Sequence, residues 1–204
     1  MKNRIPTAAA LALAAALMLS GCAPGADADP DTMPGMHHGD DAGSEQAADV
    51  NSADIMFAQM MIPHHEQAVE MADMLLAKDD IDPDVVRLAE DIKAAQQPEI
   101  DRMAGWLEDW GADMPGMDGM DGMDHGDGMM SEADMARLEA ATGVEASRLF
   151  LEQMIVHHEG AIEMAQAEVE DGRNPGAIQL ADDIIETQTA EVGTMNGLLD
   201  DLAG

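Results

Sequence analysis

The sequence predicts an all-α fold. The expected form is one four-helix bundle of two repeated helical hairpins, with a disordered N-terminal linker and a Met/Gly/Asp-rich central loop. Three observations carry that prediction. First, the block from Phe57 to Ala72 recurs from Phe150 to Ala165, at an offset of 93, with ten of sixteen positions identical. Second, Phe57, Met61, His64, Ala68, Met71 and Leu75 are spaced 4, 3, 4, 3 and 4 residues apart. That is one stripe of a helix, not the alternation of a strand. Third, each block is followed by turn chemistry and a second amphipathic stretch that also repeats. Leu88, Ala89, Ile92, Gln96, Glu99 and Met103 match Leu180, Ala181, Ile184, Gln188, Glu191 and Met195 at offset 92. The change of offset puts a one-residue length difference in the intervening loop, where it costs little.

Taken in chain order, residues 1–21 read as a signal peptide. Lys2 and Arg4 precede a short apolar run from Thr7 to Leu19, which is too short for a stable bilayer span. The run ends in Leu19-Ser20-Gly21-Cys22, which resembles the lipobox of bacterial lipoproteins. Cys22 is then the lipidated first residue of an exported chain. It is also the only cysteine, so no intrachain disulfide can form. Residues 22–53 read as a flexible linker rich in Ala, Gly, Asp, Pro and Ser, and it contains Met33, Met36, His37 and His38.

The first hairpin is expected over 54–111. Ile62, His65, Val69, Ala72 and Leu76 widen the apolar face of its first helix, and Glu66, Glu70 and Asp73 fall opposite. Asp82 is the expected N-cap of the second helix, with Pro83 in its first turn. Gly111 is the expected stop. Pro63 removes one hydrogen bond of the first helix and predicts a kink there. Residues 112–130 form the Met-rich loop, where Met114, Met117, Met120 and Met123 recur every third position among Gly and Asp, followed by His125. Gly and Pro at that density forbid a stable helix, so no regular element presents these Met residues to a core. The segment 131–203 is expected to hold a short helix at 131–141, ended by Gly143, and then the second hairpin, with helices near 145–171 and 175–202.

Polar residues on the apolar seams carry the functional expectation. Antiparallel helices pair residues at equal distance from their turn, which sets His64 level with residue 97 and His157 level with residue 189. A His-His pair should therefore face Gln96 and Glu99 in one hairpin, and Gln188 and Glu191 in the other. Met61 and Met71 flank the first pair, as Met154 and Met164 flank His157 and His158. Two readings stay open. One is an architectural network in which Glu99 and Glu191 take the imidazole protons and fix bundle register. The other is metal ligation by His and Met at i+3 and i+4 spacing, with Gln96, Glu99, Met103, Gln188, Glu191 and Met195 supporting the ligands.

Composition narrows the classes. The formal charge is −33, from 42 Asp and Glu against 9 Lys and Arg, which repels phosphate backbones and excludes nucleic acid as a partner. Aromatic residues make up only 2% of the chain, too few for stacking platforms. The 20 Met residues instead suggest soft-metal chemistry: thioethers are poor ligands for Zn, Mg or Ca but suit Cu(I). Met114, Met117, Met120, Met123 and His125 of the loop and Met33, Met36, His37 and His38 of the linker are expected metal ligands. No Glu stands three residues before a His, so the di-iron signature is absent, as are His-Glu-x-x-His and a Gly-rich phosphate loop. The expectation is a protein without catalysis.

The paired Met-Ile-x-His-His-Glu-x-Ala-x-Glu-Met-Ala and Leu-Ala-x-x-Ile-x-x-x-Gln-x-x-Glu motifs resemble the domain-of-unknown-function family 305, which includes CopM-like copper-binding proteins. The resemblance covers about residues 52–203. It implies a ferritin-like four-helix bundle, export to the periplasm or cell envelope and, for some members, copper binding and tolerance. It also implies metal roles for Met61, His64, His65, Met71, Met154, His157, His158 and Met164. The long Met-Gly-Asp insertion departs from the family pattern and favours copper, as Cu(I) rather than Cu(II). The expected partners are the metal ion, a membrane reached through the lipid anchor, and a copper exporter or carrier.

Overall fold

The computed structural model describes residues 50–114 and 128–204. The signal peptide, Cys22 and the linker with Met33, Met36, His37 and His38 lie outside the described residues, as do Met117, Met120, Met123 and His125. Among the described residues there are five helices and no strand: α1 (Ser52–Leu76), α2 (Pro83–Trp110), α3 (Glu132–Ala140), α4 (Gly143–Asp171) and α5 (Pro175–Ala203). Four are long, at 25, 28, 29 and 29 residues, and α3 has 9. The chain forms the all-α bundle of two hairpins that its repeat predicts.

Local chemistry sets the helix ends. The Asp82 side chain accepts the main-chain N–H of Asp84 at 2.8 Å, and Pro83 fills the first position of α2. Gly111 ends α2 in the left-handed conformation, with φ +64. Asn174 and Pro175 repeat the same start for α5. The expected one-residue difference falls in the hairpin turns, and α4 also runs two residues further than α1 does before its turn. Pro63 does not divide α1, and Pro98 does not divide α2.

One junction differs from the sequence expectation. Gly143 does not end the short helix. That helix closes at Ala140, where Ala141 takes extended backbone (ψ 154) and Thr142 follows in the same region. Gly143, at φ +55, is instead the corner through which the chain enters α4. Thr142 makes no side-chain cap bond, so the turn into α4 rests on this left-handed residue.

A lock that sequence pattern does not show joins the start of α1 to the α4–α5 turn. Asn51 caps α1 and donates its side-chain N–H to Asp171 O at 2.8 Å. Asp54, fully buried, accepts the main-chain N–H groups of Arg173 and Asn174 at 2.9 and 2.7 Å. Burial raises the Asp54 pKa, but hydrogen bonds from the backbone of Asn174, Asn51 and Arg173 outweigh it and hold the group below its usual value. Beside it, buried Glu168 is pushed up to about 8, by burial first and then by the neighbouring carboxylate of Asp54.

Apolar side chains fill the bundle as two clusters. One contains Ala68, Met71 and Leu75 of α1 with Ile92 of α2, Phe150 and Met154 of α4, and Met195 of α5. The other contains Phe57 and Met61 of α1 with Met103 of α2, Ala161 of α4, and Leu180 and Ile184 of α5. On every long helix a gap of several residues separates the two.

Candidate metal centre

The gaps coincide, and they hold the polar residues singled out by sequence. On α1 the gap carries His64 and His65, on α2 Gln96 and Glu99, on α4 His157 and His158, and on α5 Gln188 and Glu191. Eight polar side chains thus form one layer across the middle of the bundle, with an apolar cluster above and below. The four His and two Gln are at most 3% exposed. Glu99 and Glu191 sit at the rim, with side chains 20% and 22% exposed. A chain that buries this much polarity in mid-core gives up hydrophobic contact there, which a layer with no task beyond packing does not require.

The two hairpins contribute equivalent halves. His65 Nε2 lies 2.7 Å from Glu99 Oε2, and His158 Nε2 lies 2.7 Å from Glu191 Oε2. With a carboxylate as acceptor, each Nε2 carries the hydrogen, which leaves Nδ1 as the lone-pair nitrogen. Nδ1 of His65 and of His158 is buried and makes no hydrogen bond. A His steered by a carboxylate on one nitrogen and open on the other has the form of a metal-ligating His. The first His of each pair does something else. His64 and His157 meet across the two hairpins with ring centroids 3.7 Å apart at 39°. Burial, the largest cause, holds His157 well below the usual imidazole range, and a proton on His64, His158 or His65 would push it further down. It is therefore neutral at neutral pH, the form in which imidazole binds metals.

Thioethers flank the layer on both sides. Met61 and Met103 are fully buried in the cluster below, and Met154 and Met195 in the cluster above. Among the described residues no three His, Cys, Asp or Glu side chains are placed to hold an ion together, so an ion held here would need sulfur as well as nitrogen. That donor set suits a soft ion.

The remaining expected ligands separate from the layer. Met71 is buried within the upper cluster. Met164 is half-buried at the edge of the lower one and lines a shallow pocket of about 170 Å³ with Met56 and Met60. Met114, 42% exposed, lies beyond the end of α2. Sequence reasoning missed two features: the His64–His157 ring contact and the choice of the second His for each Glu. The internal repeat held a signal for this contact, since equivalent positions of two related hairpins meet at their shared axis.

The chain matches the family described as "Domain of unknown function (DUF305)" over residues 20–74 and 54–199. A DUF305 protein of Streptomyces coelicolor, described provisionally as secreted, is similar over 75% of this chain and 95% of its own, at 35% identity and a TM-score of 0.69. A DUF305 fragment from Deinococcus radiodurans has 32% identity over 74% of this chain and 98% of its own, with a TM-score of 0.65. CopM in its Cu(I)-bound form has 32% identity over 74% and 98%, with a TM-score of 0.62. CopM has also been solved in Cu(II)-bound and Ag-bound forms. No curated protein matches the chain.

Proposed function

The chain belongs to the DUF305 family, and from that premise we propose that it is an exported copper-binding protein of the cell envelope. In this reading it holds or hands on copper as Cu(I), contributes to copper tolerance or homeostasis, and carries out no catalytic step. The observation that carries the proposal is the buried mid-bundle layer, in which two carboxylate-steered imidazoles keep open Nδ1 atoms beside buried thioethers. His65, His158, Met61 and Met154 are the proposed ligands. His64 and His157 stand between the two halves, and Glu99 and Glu191 orient the second His of each pair. Copper and silver forms of CopM support a soft-metal role for a relative of the same fold. The lipobox-like Leu19-Ser20-Gly21-Cys22 supports anchoring through Cys22. Among the described residues no helix is long and apolar enough to cross a membrane.

A second reading rests on the same layer. The His65–Glu99 and His158–Glu191 bonds are complete without an ion, so the network could serve register alone, in a structural or interaction module. Titrating the chain from Cys22 onward with Cu(I) against a competing chelator separates the two. Removal of copper from the chelator at sub-micromolar free Cu(I), weakened in a Met61→Leu/Met154→Leu variant, is expected. Copper left wholly on the chelator favours the architectural reading.

A further inference from the structure

A second group of methionines lies outside the histidine layer and outside every motif of the repeat. Met74 of α1, Met135 of α3 and Met130, in the segment just before α3, line one pocket of about 370 Å³. Met130 is held there by its backbone. Gln67 Nε2 donates to Met130 O at 3.0 Å, and the Met130 N–H donates to Gln67 Oε1 at 2.7 Å. Two residues earlier the chain is pressed against α4. Gly128 has φ +99, and a Cβ there would fall 2.7 Å from Val156 O and 3.0 Å from Gly160 Cα. Only glycine satisfies both the backbone angle and the space. The final residues of the Met-Gly-Asp stretch are thus fixed in place, and its last Met is delivered to the pocket.

Packing explains part of this. All three Met side chains are half-buried against the upper apolar cluster, and Met fills irregular gaps well. Packing does not explain the rim. Glu70, Glu132 and Glu139 surround the same pocket, are exposed, and form no ion pair among the described residues. The nearby cations do not pair with these carboxylates: Lys78 Nζ donates to the main-chain O of Glu139, and Arg137 pairs with Asp134. Among the described residues the carboxylates do not converge as a cage for a hard ion. They place negative potential around three neutral sulfur donors: the potential concentrates cations of any charge, and the thioethers select a soft one such as Cu(I) or Ag(I).

We propose that the pocket formed by Met74, Met130 and Met135 is a separate thioether site for a soft monovalent ion, Cu(I) or Ag(I), where the Met-rich stretch joins the bundle. It does not depend on the histidine layer, and either site can fail without the other.

The test uses the chain from Cys22 onward, labelled with ¹³C at the Met methyls and titrated with Ag(I), which avoids redox chemistry. Single Met74→Leu, Met130→Leu and Met135→Leu variants assign the three signals. The three methyls are expected to shift together over one range of Ag(I). The triple Leu variant should retain about one fewer Ag(I) by native mass spectrometry. A Met61→Leu/Met154→Leu variant should leave the three shifts in place, which separates this pocket from the layer. Stationary methyls at Met74, Met130 and Met135 while other Met signals move would overturn the proposal. So would a folded triple variant with an undiminished Ag(I) count. Should the triple variant unfold, the wild-type methyl shifts decide alone.

Discussion

At the scale of single residues, the account turns on which nitrogen of which His is committed. Adjacent residues point about 100° apart on a helix, so His64 and His65 cannot face the same neighbour. The structure gives Glu99 to His65 and turns His64 toward His157. Removing the carboxylate should therefore act through a buried donor. Glu99→Ala leaves His65 Nε2–H without its acceptor and should cost about 1–3 kcal/mol of stability, whereas Glu99→Gln keeps an acceptor oxygen and should cost less. Urea unfolding of the metal-free chain measures both, and equal small losses would remove Glu99 from any orienting role. The identity of the layer was legible in the sequence because the His pairs and the Gln and Glu residues each occur twice at matched distances from a turn. The assignment of Glu99 to His65 was not, because counting from a turn fixes height along the helix but not rotation to within one residue.

At the scale of elements, helix starts and stops were legible where one residue type does the work, as at Asp82-Pro83, Gly111 and Asn174-Pro175. Gly143 misled because a left-handed glycine can close one helix or open the next, and spacing alone does not say which. The Asn51–Asp54 lock on the α4–α5 turn was out of reach, since its partners lie about 120 residues away in sequence. That lock carries a pH dependence. Glu168 has an ordinary value of 4.5 and a folded value of about 8. Between those values the folded chain keeps a proton that the unfolded chain has released, so stability falls as pH rises through the window and levels off above it. Glu168→Gln remains neutral throughout. Its melting temperature should decline less than that of the wild type between pH 5 and pH 8. Parallel melting curves would show that Glu168 is ionised in the folded chain.

At the scale of the whole molecule, the methionines divide into classes that composition alone could not separate. Met61, Met71, Met103, Met154 and Met195 are fully buried, four of them beside the polar layer. Met74, Met130 and Met135 share a carboxylate-rimmed pocket, and Met56, 55% exposed, stands at the surface. The acidity divides as well, into solvated helix faces and carboxylates grouped around sulfur. Two hairpins of one ancestral pattern place their His pairs at the same level from opposite directions, so an ordinary helical repeat yields one central layer rather than two sites. The central claim is that this layer and its thioethers bind copper together. X-ray absorption at the copper edge, on the Cu(I)-loaded chain with Met33, Met36, Met74, Met114, Met117, Met120, Met123, Met130 and Met135 replaced by Leu and His37, His38 and His125 by Ala, tests it most directly. The account predicts sulfur and nitrogen scatterers in the same copper shell. A shell of oxygen and nitrogen alone, or copper lost entirely with these side chains, would contradict it.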